Sequence, residues 1–407
     1  MTEQSKNKIL LPRVIYGNRG DILSRWGLLN GLLSLGQRDI KVFAHLPGDL
    51  PNEFCNTFYP YGKYHNLLLS HDARKALHES DRILWGGGLD LTDESSKAKL
   101  LYLSVLFSRY RKLGKQIDCV FQGAGPIVTS TGKVLTRQIL NKTNHFIARD
   151  EYTLNLLHTI NPATKLTLAG DAIFMPGFED QINEHDQPSA IVPFVPPEGQ
   201  LLVAINIRRW FHFSSDLIPF QLAKKRYENR GQQEMDRLVQ IYVDLARKLR
   251  REYDARVLLV SAYNPGVFSW EDDMPWLQKI KTAFPLDDDV CLLDENLDML
   301  DYLSLMSKVD MAISMRLHSS LTALRFGNPA VNISYSPKGV YVFNTLGLGD
   351  HAVEINTAMQ QPDRIWQEVQ LVLSNLSVEK QKVRIGVASL IEKNMDVLGS
   401  LFMEANE

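Results

Sequence analysis

Residues 9–45 read ILLPRVIYGNRGDILSRWGLLNGLLSLGQRDIKVFAH. An apolar run, Ile9–Tyr16, has the composition of a buried strand. A glycine-containing polar turn follows, then a helical pattern from about Ile22 to Leu35, then a second apolar run, Ile40–His45. This is one βαβ unit. The alternation continues outward, with strand-like runs at Arg82–Trp85, Asp118–Phe121, Phe146–Ala148 and Thr167–Ala169. Helical stretches such as Ala98–Leu113 and Tyr152–Ile160 fall between them. Stacked βαβ units predict a mainly parallel sheet.

The alternation breaks at Met175–Gln200, a stretch rich in proline, glycine and acids. A break of this kind reads as a linker. A second α/β block begins with Leu201–Ile207 and continues with strands at Arg256–Val260, Val290–Leu293, Met311–Ser314 and Ala330–Ile333. The chain, 407 residues long, exceeds one ordinary core. The expected fold is therefore α/β, two Rossmann-like lobes with a central cleft, divided into residues 1–192 and 193–407. Two helices, about Asp363–Leu373 and Val378–Met403, close the chain and are expected to pack back toward the first lobe. No repeat on a solenoid scale is present.

Composition excludes several classes. Lysine and arginine total 45 against 47 aspartates and glutamates, so the chain as a whole lacks the basic balance of a nucleic-acid binder. Cys55, Cys119 and Cys291 show neither disulfide nor zinc spacing. The polar start MTEQSKNK has no secretory pattern, and no apolar run is long enough to span a bilayer. The expectation is a cytoplasmic protein with at most peripheral membrane contact.

Ligands of open parallel sheets bind at the carboxyl ends of the strands. In the first lobe three glycine-bearing segments follow strands: Gly17-Asn18-Arg19-Gly20-Asp21, Trp85-Gly86-Gly87-Gly88-Leu89-Asp90 and Gln122-Gly123-Ala124-Gly125-Pro126. Each alone reads as a tight structural turn; together on one edge they imply close approach of backbone to a ligand. Asp21 reads either as a helix cap or as a group that holds or deprotonates a substrate hydroxyl. The spacing of a dinucleotide fingerprint is absent. In the second lobe the strand ends carry cations: Arg208 and Arg209, then Arg316 and His318 where the helix Ser319–Phe326 begins, then Lys338. Two residues apart at a strand-to-helix turn, Arg316 and His318 are expected to face the same side. This set suits a ligand with two anionic groups, such as a carboxylate and a phosphate.

The segment SMRLHSSLTALRFGNPAVNISYSPK, residues 314–338, closely resembles the signature of the polysaccharide pyruvyltransferase family. Gly17–Asp21, Gly86–Gly88, Gln122–Pro126, Ala148-Arg149-Asp150 and Gly170-Asp171-Ala172 resemble further family segments, in the same order. The resemblance covers most of Asn7 to Lys338. Thr322-Ala323 stands where the family commonly has phenylalanine-alanine, and Ser314 where glycine is frequent.

The resemblance implies a two-lobed fold like that of GT-B glycosyltransferases. It also implies transfer of pyruvate from phosphoenolpyruvate to two hydroxyls of a sugar, as a ketal, on a surface polysaccharide or its precursor. The first lobe would serve the acceptor and the second phosphoenolpyruvate. Arg208 (or its neighbour Arg209), Arg316, His318 and Lys338 would form the donor site, with His318 donating a proton to the methylene carbon. Asn18, Gly20, Gly87, Gly88, Gln122 and Gly123 would line the acceptor side, with Asp21 orienting or deprotonating a hydroxyl. The partners would be phosphoenolpyruvate and a sugar or glycan, lipid-linked or free.

No cofactor or metal is implied. Glu271–Asp273 and Asp287–Asp289 read as solvated loops. Arg316→Ala is expected to abolish transfer and leave the fold intact. The long insert Phe211–Gln233, aromatic and basic, is expected to act as an acceptor-recognition lid. Two rival readings use the same cleft: a glycosyltransferase gripping a nucleotide sugar, and a non-catalytic glycan-binding protein.

Overall fold

The computed structural model describes residues 8–15, 17–44, 50–51, 54, 58–60, 67–68, 70–93, 97–185, 189–210, 231–263 and 272–403. The first sheet has seven parallel strands: β1 (Ile9–Ile15), β2 (Ile40–Ala44), β3 (Phe58–Pro60), β4 (Arg82–Leu91), β5 (Gln116–Ala124), β6 (His145–Ala148) and β7 (Leu166–Leu168). Their order is β3-β2-β1-β4-β5-β6-β7, so the winding reverses between β1 and β4. The flanking helices are α1 (Arg19–Ser34), α2 (His71–His78), α3 (Lys97–Lys112), α4 (Ser130–Leu140) and α5 (Glu151–Ile160).

The second sheet has six parallel strands: β8 (Leu202–Asn206), β9 (Arg256–Val260), β10 (Val290–Leu293), β11 (Met311–Ser314), β12 (Ala330–Ser334) and β13 (Ala352–Glu354). Their order is β10-β9-β8-β11-β12-β13, which reverses between β8 and β11. Helices α7 (Gln232–Tyr253), α8 (Met274–Lys281) and α9 (Met299–Ser307) fall between these strands in the chain. Ligands of open α/β sheets lie at such reversal points. The two reversals therefore mark the ends of β1, β4, β8 and β11 as the ligand-binding edge.

Helices α2 to α5 cover one face of the first sheet through a shared core that includes Leu77, Leu100, Ile139 and Leu157. The opposite face receives α1, whose Leu23, Trp26 and Leu29 enter a core that continues into the second lobe at Leu303, Leu321 and Leu324. The terminal helix, running Leu376–Met403, joins the same core through Leu390 and Leu398. Its buried Asn394 accepts from the Gly170 amide at 2.7 Å and donates to the Asp171 and Phe174 carbonyls. Arg82 donates to the Leu401 carbonyl. The chain's end thus packs back on the first lobe, as expected.

Three elements differ from the sequence reading. Helix α1 begins at Arg19 because Asn18, not Asp21, is its cap, accepting from the Asp21 amide at 2.8 Å. Strand β4 does not stop before the glycines but runs through them to Leu91. There Gly86 pairs Val120 and Gly88 pairs Gln122, and the skipped rung holds two left-handed residues, Gly87 (φ +69°) and Phe121 (φ +53°). The linker Met175–Gln200 is built rather than extended, carrying α6 (Phe178–Glu184) and a 3-10 turn, Ser189–Phe194. Phe178 is buried there, and Arg325 of the second lobe donates to the Met175 carbonyl and the Glu179 carboxylate. Among the described residues no helix is long and apolar enough to cross a membrane.

Candidate active site

The second lobe's strand ends are locked together by one amide. Asn206, last in β8, donates to the Val260 carbonyl at 2.8 Å and accepts from Ser314 Oγ and the Arg316 amide, both at 3.1 Å. Arg316 caps helix α10 (Leu317–Arg325) in extended backbone geometry, which aims its side chain back over the sheet. Its guanidinium meets Asp273 through Nε (3.1 Å) and Nη2 (2.7 Å) and lies 5.0 Å from the Tyr263 ring centre. Burial alone would lower the Arg316 pKa, but the Asp273 charge and hydrogen bonds raise it above the ordinary arginine value.

Asp273 is fully buried and also accepts from the Ala262 amide. Its reading as part of a solvated loop is therefore corrected: a guanidinium fixed at a buried strand end needs an anion beside it. Asp287 and Asp289 are likewise ion-paired, with Arg250 and, for Asp289, Arg256.

Arg208 lies 4.2 Å over the Tyr335 ring, and its Nε donates to the Arg209 carbonyl. Lys338 sits buried in the first turn of α11 (Pro337–Thr345). Arg208, Arg316 and Lys338 follow β8, β11 and β12, three neighbouring strands, so one edge of the sheet gathers them.

The first lobe presents a denser network. Arg13 of β1 pairs with Asp90 at 2.9 Å, and Asp90 also takes Lys99 at 2.6 Å and the Trp85 indole at 3.0 Å. Burial opposes ionisation of Asp90, but the two cations and the hydrogen bonds hold its carboxyl well below the usual range. Gly88 has φ +95°, and a Cβ there would stand 2.1 Å from Arg13 Nη1. Only glycine leaves room for that guanidinium. Gln122 donates toward the Trp85 and Gly87 carbonyls, and its buried Oε1 has no hydrogen-bond partner among the described residues. Gly123 lies against the Arg149 guanidinium. Asn18 donates to Asp21 Oδ2 at 2.8 Å. Burial would raise the Asp21 pKa, but Arg25, Arg13 and His318 outweigh it and lower it.

His318 joins the lobes. It stands in the first turn of α10, and its Nε2 lies 3.1 Å from Ser24 Oγ and 3.3 Å from Asp171 Oδ2, both on the first lobe. Asp171 further accepts from Ser24 Oγ (2.7 Å) and Arg149 Nη1 (3.1 Å). Burial would raise the Asp171 pKa, yet His318, Arg149 and Ser24 together hold the carboxyl well below the usual range. Gly20 completes the contact, since a Cβ there would fall 2.1 Å from His318 Cβ. Beside it Arg19 donates to the Ser261 carbonyl and lies 4.6 Å from the Tyr302 ring centre.

The expectation that Arg316 and His318 face the same side is corrected. The cap geometry turns Arg316 toward Asp273, while helical geometry carries His318 across the cleft.

Asp171, Ser24, Arg149, Arg13 and Asp273 were absent from the sequence-derived site. Arg149 follows β6 and Asp171 follows β7, so the strand-end rule that selected the glycines also reaches these two. Asp273 carries no such signal. Residues 211–230 of the proposed lid lie outside the described residues. Among the described residues, His185, Asp298 and Asp301 bring ligand-type atoms within 4.8 Å of one another. His185 Nε2 bonds Asp301 there, and Asp298 caps the helix Met299–Ser307, which accounts for the grouping.

A family model described as polysaccharide pyruvyl transferase matches residues 18–337. No curated protein matches at the sequence level. Among solved structures, a putative UDP-N-acetylglucosamine 2-epimerase from Listeria monocytogenes is similar at TM-score 0.58 and 12% identity, covering 98% of this chain and 97% of its own. A UDP-GlcNAc 2-epimerase from Neisseria meningitidis bound to UDP-GlcNAc gives 0.56 and 12%, covering 97% and 100%. Anabaena HepE in complex with UDP-glucose gives 0.55 and 12%, covering 96% and 99%. These likenesses show a shared two-lobed GT-B-like α/β fold.

Proposed function

The chain belongs to the polysaccharide pyruvyl transferase family, and we propose that it moves pyruvate from phosphoenolpyruvate onto two hydroxyls of a sugar, closing a pyruvate ketal on a surface polysaccharide or its precursor. The observation that carries this reading is His318, delivered by the second lobe and held by the first-lobe carboxylate Asp171. An imidazole oriented by an ionised carboxylate is the arrangement that acid–base catalysis asks for.

In the proposed reaction His318 gives a proton to the methylene carbon of phosphoenolpyruvate, making C2 electrophilic. One sugar hydroxyl attacks C2 and loses its proton, and phosphate leaves with the bonding electron pair. The second hydroxyl then attacks C2 and loses its proton, closing the ketal. Arg208 and Lys338 would hold the carboxylate and phosphate. Arg316, paired with buried Asp273, acts as a positioning residue that fixes the turn carrying His318. Asp21, held ionised below the usual range, is a weak proton acceptor and suits orientation of a hydroxyl better than its deprotonation. Asn18, Gly20, Gly87, Gly88, Gln122 and Gly123 would border the acceptor. Phosphoenolpyruvate is the donor substrate, and the reaction needs neither a resident cofactor nor a metal.

Similar folds solved with UDP-GlcNAc and UDP-glucose support one second reading, a nucleotide-linked sugar in the same cleft. Thermal denaturation with phosphoenolpyruvate or UDP separates the two, because a ligand that binds only the native state raises the midpoint. Stabilisation by phosphoenolpyruvate, with phosphate release and a pyruvyl mass gain on a sugar acceptor, is expected. Stabilisation by UDP alone would select the second reading, as would activity lost in EDTA and restored by a divalent ion.

A further inference from the structure

The outer face of the first lobe carries a charge bias that the cleft chemistry does not use. Every aspartate, glutamate, lysine or arginine between residues 97 and 144 is basic except Asp118. Asp118 is buried and paired with Arg82 at 2.7 Å. This run of nine bases sits in a chain whose acids outnumber its bases, 47 to 45. It spans α3 and α4, neighbouring helices on the sheet face turned away from the lobe-joining core.

The same two helices leave aliphatic side chains uncovered. Leu101 is 55% exposed, Val105 49%, Val134 52%, and Val128, just before α4, 67%. Ser104 of α3 donates to Gln138 of α4 at 3.0 Å, which fixes where the helices touch. Leu101 lies one turn before Ser104 and Val134 one turn before Gln138, so they flank that contact together, and Val105 follows Leu101 at i+4. Lys112 and Lys133 are exposed on these helices. At the cleft end Lys99 of α3 reaches Asp90, which pairs with Arg13 in the site.

We propose that the α3–α4 face docks on an anionic lipid surface, with Leu101, Val105 and Val134 entering the headgroup boundary and the surrounding bases meeting lipid phosphates. Aliphatic residues on two basic helices that carry no acid match the two attractions of an interfacial surface, apolar burial and charge. A second copy of the chain would set two positive faces against each other, which like-charge repulsion disfavours. Docked this way, the enzyme would present the carboxyl edge of its first sheet beside the bilayer, where a lipid-linked acceptor could reach it. Charge and exposure carry this assignment whichever donor the cleft takes.

Vesicle co-sedimentation of the full chain tests it. The protein should pellet with phosphatidylcholine vesicles containing phosphatidylglycerol, stay in solution with pure phosphatidylcholine, and be released as salt rises. Leu101→Gln with Val105→Gln should reduce binding, and Lys112→Glu with Lys133→Glu should reduce it by roughly 25-fold or more, at about fivefold for each base near the surface. Both doubles should keep the melting midpoint and turnover of a soluble acceptor, and Arg247→Glu with Arg251→Glu on the second lobe should bind vesicles normally. No sedimentation with anionic vesicles at low salt would overturn the proposal. So would binding unaffected by the aliphatic double, which with equal affinity for soluble heparin would mark a site for an acidic macromolecule instead. Self-association abolished by the same variants would also overturn it.

Discussion

His318 meets Ser24 and Asp171 of the opposite lobe through a single nitrogen, so its chemistry depends on the lobes staying together. His318→Gln should lower transfer by about 10²–10⁴-fold, the usual contribution of a positioned acid or base. Phosphate release from phosphoenolpyruvate checks this, and the melting midpoint should change little. For Arg316 the ion pair with Asp273 leads to a new expectation for the fold. Arg316→Ala strands the buried Asp273 carboxylate, and breaking a buried pair typically costs ~3–5 kcal/mol, so urea unfolding should show a large loss rather than an intact fold. Arg316→Ala with Asp273→Asn should recover part of it.

Asp171 supplies the pH test. Its folded pKa lies below the unfolded value of about 3.9. Its contribution is therefore complete above that value and fades as pH falls through the folded value. Asp171→Asn should destabilise the protein at neutral pH, and the difference from wild type should shrink only on the acid side of about pH 4. Urea midpoints measured from roughly pH 7 down to pH 2 would show the onset of that loss.

At the scale of elements, strand-end polarity in the sequence was enough to place Asn18, Gly88, Gln122, Arg208 and Lys338 at carboxyl edges, because a parallel sheet leaves a ligand few other places. What it could not supply was direction. Arg316 and His318 are two residues apart, yet one lies in extended and the other in helical backbone, and that difference sends their side chains to different lobes. The full length of β4 is not legible in the sequence because glycines usually end strands, whereas here they give room to Arg13. Asp273 lies 43 residues before its partner, beyond any local pattern.

The α1–α10 contact offers a direct check of element packing. Gly20→Ala improves helix propensity in α1 by up to ~1 kcal/mol, yet its Cβ would overlap His318 Cβ. If the lobes must close on that contact, the variant loses turnover while α1 itself gains helix. Unchanged kinetics would mean that the contact is incidental.

For the whole molecule, one core runs from α1 through the second lobe to the terminal helix, and Asn394 ties that helix to the backbone of Gly170 and Asp171. Asn394→Ala leaves the buried Gly170 amide and Phe174 carbonyl without their partner, while the Asp171 carbonyl keeps the Phe174 amide. Each such group costs ~1–3 kcal/mol, so the variant should be clearly less stable and should also lose activity through Asp171. The central claim is that Arg208 and Lys338, gathered at one edge by β8 and β12, bind phosphoenolpyruvate in front of a lobe-bridging His318. Calorimetric titration of phosphoenolpyruvate into wild type, Arg208→Ala and His318→Gln tests it most directly. Wild type and His318→Gln should bind alike, and Arg208→Ala should bind at least ~10-fold more weakly, for the loss of a charged hydrogen bond worth ~1.5–3 kcal/mol. Absence of binding to wild type, or equal binding by Arg208→Ala, would contradict the account.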